Sequence, residues 1–154
     1  KCLNYLRAVH IALVMLALAA VASHGVRSNY WLQHSYVHGL GYASRAWWES
    51  NIIKSLAGLE DSRPIFTNGT DAIYVLTGKP SHSLPRKVDP TTNQINFNYS
   101  YELSLMARQL KQEKGILVYF NSIGWRWYMP SENELTEKLA LRLRVREKDG
   151  SIYE

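Results

Sequence analysis

The run Ile116-Leu117-Val118-Tyr119-Phe120 is unbroken, apolar, and rich in β-branched and aromatic residues, with Gly115 before it and polar Asn121-Ser122 after it. A run of that length and composition predicts a central strand buried on both faces, the kind found in parallel sheets. The rest of the chain must then supply covering helices and neighbouring strands. The segment that follows, Gly124-Trp125-Arg126-Trp127-Tyr128-Met129-Pro130, reads as a loop carrying three aromatic rings and an arginine. In open α/β sheets, ligands bind in loops beyond the carboxyl ends of the strands. One stretch therefore predicts both the centre of the core and the best candidate surface.

The other elements follow in alternation. Residues 42–59 carry Trp48, Ile52, Leu56 and Leu59 at helical spacing. Ile65-Phe66-Thr67 is a short strand, and Asn68-Gly69-Thr70-Asp71 a turn whose Asp71 or Thr70 is expected to cap a helix over 72–76. Gly78 and Pro80 end that helix. Residues 81–84 form another short strand, 89–98 an exposed loop, and 99–114 a helix with Leu103, Met106, Ala107 and Leu110 on one face. Ser131-Glu132-Asn133-Glu134 is a capping box opening a helix to Leu139. Leu141, Leu143 and Val145 alternate with Arg142, Arg144 and Arg146, as in a half-exposed strand. Asp149-Gly150 reads as a two-residue turn, returning 151–153 as an edge. The expected fold is a small three-layer α/β domain with a mostly parallel sheet and a carboxyl-terminal hairpin.

Residues 8–26 are almost wholly apolar, interrupted only by His10, Ser23 and His24. About 20 apolar residues span a bilayer, so a transmembrane helix is the first reading. A signal peptide cleaved after Ala22 and a buried core helix are the alternatives. Lys1 and Arg7 before the run favour an inward amino end and an extracytoplasmic domain. The expected organisation is a membrane helix with its flank over 1–26, an interfacial connector over 27–41 carrying Tyr30, Trp31 and Tyr36, and an α/β domain over 42–154. Lys1 in place of Met suggests a processed chain or part of a longer one.

The 154 residues have a formal net charge of +5 with no block of like charge, and no nucleic-acid motif is present. With Cys2 as the single cysteine there is neither an internal disulfide nor a cysteine metal cage. His34 and His38 have ligand spacing but no third partner, so no metal is expected. No cofactor motif occurs: the glycine patterns of dinucleotide and P-loop sites are missing.

The sharpest constellation is Trp125, Arg126, Trp127 and Tyr128, suited to a sugar ring, a lipid headgroup or a phosphate. The same residues also suit a simple cover over the sheet end, or docking of the domain onto a membrane. Asn68 and Asp71 lie in a turn of generic anion-binding geometry that capping alone explains. Arg86 and Lys87, with Lys79, make a small basic patch. Asn68-Gly69-Thr70 and Asn98-Tyr99-Ser100 match the glycosylation acceptor pattern.

The last apolar span and its connector are followed by Ser50-Asn51-Ile52-Ile53-Lys54-Ser55-Leu56 and Pro64-Ile65-Phe66-Thr67-Asn68. After these come Asp71-Ala72-Ile73-Tyr74, Thr77-Gly78-Lys79-Pro80, Leu84-Pro85-Arg86-Lys87 and the strand at Ile116. In this arrangement the chain resembles the carboxyl-terminal part of multi-spanning membrane glycosyltransferases of the dolichyl-phosphate-mannose mannosyltransferase class and the bacterial lipid A arabinose transferases. The resemblance implies a polyprenyl-phosphate sugar donor, with membrane lipid and lipid-linked sugar as partners. It also implies catalytic acids in an amino-terminal extracytoplasmic loop that has no counterpart here, so no catalytic residue transfers. The chain would then be a domain that assists an enzyme. The alternative is a single-span, non-enzymatic subunit bound to other membrane subunits.

Overall fold

The computed structural model describes residues 2–59 and 63–154, with side chains from Leu6 onward. Lys1, used above for orientation, lies outside the described residues. The chain divides into two compact units, the first ending at Arg45 and the second running from Ala46 to Glu154.

The first unit is dominated by one helix, α1 (Cys2–His38), of 37 residues. At 1.5 Å per residue it is about 55 Å long, well beyond the roughly 30 Å of a hydrocarbon core. The stretch Leu6–His38 is long and apolar enough to cross a membrane, its most apolar 18 residues having a mean hydropathy of 2.0 with none of them buried. Leu13, Val14, Met15, Leu16 and Leu18 are all exposed, so the apolar surface runs around the helix instead of forming a stripe. A helix apolar on every side needs either a protein core or lipid around it. This makes α1 a candidate membrane span. The expected connector is helical as far as His38 and continues α1 without a break.

The helix expected over 42–59 is broken into three pieces: a 3-10 turn (Gly41–Ala43), α2 (Arg45–Trp48) and α3 (Asn51–Ala57). Ser50 causes the second break. Its backbone is non-helical, and its Oγ accepts the Ile53 amide at 3.1 Å as the N-cap of α3. The same hydroxyl donates to Asp149 at 2.5 Å. A helical pattern of apolar residues does not reveal such a restart, because Trp48 and Ile52 keep helical spacing across it.

From there the order is β1 (Ile65–Thr67), α4 (Thr70–Thr77), β2 (His82–Ser83), α5 (Tyr99–Gln112), β3 (Ile116–Phe120), α6 (Glu132–Leu139), β4 (Leu143–Glu147) and β5 (Gly150–Tyr153). Gly78 closes α4 in the left-handed conformation, φ 72°, as its position predicts. Ser131 caps α6 by accepting the Glu134 amide.

The five strands lie in the order β2-β1-β3-β5-β4. The pairs β2–β1 and β1–β3 are parallel, while β3–β5 and β5–β4 are antiparallel. The sheet is therefore mixed, not mostly parallel. The hairpin turn falls one residue earlier than expected, at Lys148-Asp149, because Glu147 pairs with Gly150. The expected edge is also inverted. β5 is buried throughout and pairs on both sides, whereas β4 forms the edge. Charge decides this: β4 carries Arg144, Arg146 and Glu147, which need water, and β5 offers only Gly, Ser, Ile and Tyr. Gly150 permits the close pairing, since a Cβ there would run into the Tyr119 carbonyl.

Side-chain alternation along β3 divides the core in two. Ile116, Val118 and Phe120 join Ile52, Leu56 and Ile73 from α3 and α4 on one face. Leu117 joins Leu103, Met106, Leu110 and Leu135 from α5 and α6 on the other. Each such side chain, when fully buried, contributes about 1.5–3 kcal/mol. The result is a three-layer α/β unit with β3 at its centre.

Candidate functional site

Strands β2, β1 and β3 run parallel, so Ser83, Thr67 and Phe120 end at the same edge of the sheet. Asn68 and Asp71 follow β1, Arg86 and Lys87 follow β2, and Trp125, Arg126, Trp127 and Tyr128 follow β3. All eight residues singled out from the sequence thus arrive at one edge, where α/β sheets present their binding loops. Their roles within it differ.

Asn68 is an internal brace. It is 1% exposed; its Nδ2 donates to the Phe120 carbonyl and its Oδ1 accepts the Phe120 amide, both at 2.9 Å. The side-chain amide thereby extends the β1–β3 ladder by one rung beyond Thr67. The neighbouring Gly69 lies so close to β3 that an added Cβ would sit 2.5 Å from Ile123 Cδ1 and 2.8 Å from Phe120 Cδ2. The turn is packed against the strand, and the Asn68 side chain is buried beneath it.

Arg126 is also largely committed to internal bonds, its buried Nε alone making none. Its Nη1 donates to the Asn68 carbonyl at 2.7 Å, and its Nη2 lies 2.8 Å from both carboxylate oxygens of Asp71. The side chain is 10% exposed, and its guanidinium lies 4.6 Å from the centre of the Trp125 ring. Asp71 is not the N-cap of α4. Gly69 occupies that position without a side-chain bond, and Asp71 lies within the first turn, where its charge suits the helix dipole. The arginine therefore clamps the β3 loop to the β1 turn and holds Trp125 in place.

A second clamp was not legible in advance. Glu134 accepts from Lys87 Nζ at 3.0 Å, Lys138 Nζ at 2.9 Å and the Tyr99 hydroxyl at 2.8 Å. The capping-box pattern marks Glu134 but points its carboxylate back toward Ser131. The side chain instead gathers groups from the β2 loop, α5 and α6. Burial opposes its ionisation, but the bonds from Lys138, Lys87 and Tyr99 outweigh that and hold its pKa at about 2. Burial and the neighbouring Glu134 raise the Tyr99 phenol well above its usual value. A carboxylate depressed in this way adds stability above its ordinary range, near pH 4.5, and loses it as the pH falls toward 2. Thermal unfolding followed from pH 6 to pH 2 should therefore fall more steeply for the native protein than for Glu134→Gln. Parallel curves would remove Glu134 from the acid response.

What remains free for a partner lies at the rim. Trp125 and Trp127 are 61% and 59% exposed. Tyr128 is half-buried; its ring packs edge-on to Trp127 and its carbonyl accepts the Lys87 amide at 2.8 Å. The Arg86 guanidinium is exposed and lies 5.7 Å from the Tyr128 ring centre. Beside it an open groove of about 500 Å³ has a floor of Phe66, Leu84 and Met106 and polar walls that include His82, Arg86 and Asn96. Aromatic faces with one cation can hold a ring or an anion. The only acid among the eight residues, Asp71, is bonded to Arg126. The His34 and His38 rings are 4.5 Å apart, and among the described residues no third metal-ligating group gathers with them. No protein-family model matches the chain, and neither a characterised protein nor a solved structure matches it.

Proposed function

We propose that this chain is a membrane-tethered α/β domain that holds a lipid-linked sugar at the carboxyl edge of its parallel strands, on the extracytoplasmic side. In this reading it assists a membrane glycosyltransferase that uses a polyprenyl-phosphate donor, with the catalytic acids outside the chain. The observation that carries it is the convergence of Trp125, Trp127 and Arg86, all exposed, on one strand-end edge of a chain with a candidate membrane span. The motif resemblance described above supplies the donor class. The exposed rings would contact the sugar faces, and Arg86 would meet the phosphate.

The test is titration of the full chain in lipid nanodiscs with a polyprenyl-phosphate monosaccharide. Replacing Trp125 and Trp127 together with Ala should weaken binding at least tenfold, since two aromatic contacts at about 1 kcal/mol each exceed the 1.4 kcal/mol of one decade. Both rings are mostly exposed, so the melting temperature should barely change. Equal affinity in the native and double-variant proteins would remove the rim from sugar recognition.

A further inference from the structure

The second unit fills two cores with its apolar residues, yet leaves four large apolar side chains outside them at the same edge. Phe97 is 94% exposed and Ile95 is 67% exposed, in addition to Trp125 and Trp127. These residues are held together. Ile95 and Phe97 flank Asn96, whose backbone amide donates to the Lys87 carbonyl and whose side-chain amide donates to the Arg86 carbonyl, both at 2.9 Å. Lys87 in turn donates to the carbonyl of Tyr128, which adjoins Trp127. Three loops thus form one tied rim.

We infer that this rim inserts its Phe97, Ile95, Trp125 and Trp127 side chains into the headgroup layer of a lipid bilayer. Large apolar side chains left exposed on tied loops mark a contact surface. Tryptophan beside arginine is the composition favoured at the membrane–water boundary. The acids nearby are already occupied: Asp71 by Arg126, Glu134 by Lys87 and Lys138, Glu102 by Asn96, and Asp89 by the Thr91 and Thr92 amides. The occupant is a bilayer because the chain carries its own candidate span, with only the seven residues 39–45 between His38 and Ala46. The polar end of α1 over 27–38 adds about 18 Å beyond the apolar run and the seven-residue link at most about 25 Å, so the unit stays tethered within reach of the lipid. The inference uses the same edge as the proposed function but does not depend on the sugar.

The experiment places a nitroxide on the full chain in phosphatidylcholine vesicles that contain no lipid-linked sugar. Cys2→Ser removes the native thiol, and Phe97→Cys, Trp127→Cys or Lys111→Cys supplies the label site. Lys111 is exposed in the last turn of α5, shortly before the amino end of β3. Relative accessibility to oxygen and to an aqueous nickel chelate then reports depth. Labels at 97 and 127 should be shielded from the chelate and lie about 5–10 Å into the boundary, with 111 fully aqueous. Protein that stays with the vesicles while 97 is as chelate-accessible as 111 overturns the inserted rim and leaves sugar binding standing. Protein that elutes free of the vesicles overturns the anchor, and the inserted rim with it. Phe97 is almost wholly exposed, so its substitution keeps the test valid if Trp127→Cys fails to fold.

Discussion

Asn68→Ala should destabilise the second unit by roughly 2–5 kcal/mol, one of the two largest losses expected from a single side chain here. The change leaves the Phe120 amide, at the buried end of β3, unpaired and its carbonyl with only the longer 3.4 Å bond from the Ile123 amide. Each buried group left unpaired costs about 1–3 kcal/mol. A small cavity beside Phe120 adds to this. For a unit of this size the loss corresponds to a fall of about 10 °C or more in melting temperature. Asn68→Asp is an informative companion, because it keeps the shape and one acceptor but sets a carboxylate against the Phe120 carbonyl. Calorimetry on the full chain would read both. A loss for Asn68→Ala below about 1 kcal/mol would mean that the β1–β3 ladder does not need its extra rung.

Arg126→Ala should cost roughly 2–4 kcal/mol and release the aromatic loop. The guanidinium bonds the Asn68 carbonyl and both oxygens of Asp71 while itself nearly buried, so charge-assisted bonds at about 1.5–3 kcal/mol apply. The ion-pair share is reduced because Asp71 is 43% exposed and solvent screens it. Asp71→Asn alone should therefore cost less than Arg126→Ala, and a double-mutant cycle should return a coupling of about 0.5–3 kcal/mol. The same variant should speed hydrogen exchange at the Trp125 and Trp127 indoles while leaving the amides of β3 protected. Unchanged exchange at the indoles would show that the loop holds its shape without the arginine. Arg126→Lys should not rescue the loop, since a single ammonium cannot bridge a carbonyl and both carboxylate oxygens in the same plane.

Local chemistry made β3, the cap at Ser131, the stop at Gly78 and the order of elements legible in the sequence. Each is written within a few residues: an apolar run, a hydroxyl three places before a carboxylate, a glycine after a helical turn. The eight edge residues were legible for a topological reason, because parallel strands bring their following loops to one side. Their division into braces and free rings was not. Arg126 and Asn68 look like ligand contacts until Asp71 and Phe120 are placed 55 and 52 residues away in the chain. The same holds for Glu134, whose partner Lys87 lies 47 residues earlier. The inner position of β5 depended on competition between two strands for burial. A strand judged alone shows only that it is apolar, not that its neighbour is too charged to take the inner place.

The two ends of the sheet differ, and the difference bears on crowding. On one side β2 offers a template two residues long; on the other, β4 presents alternating arginines along its length. Short strands and charged side chains along an edge both discourage another sheet from adding on. Copies confined to a plane meet far more often than copies in solution, and an open apolar strand would let them zip together. Addition of another sheet at either end of this one is therefore disfavoured.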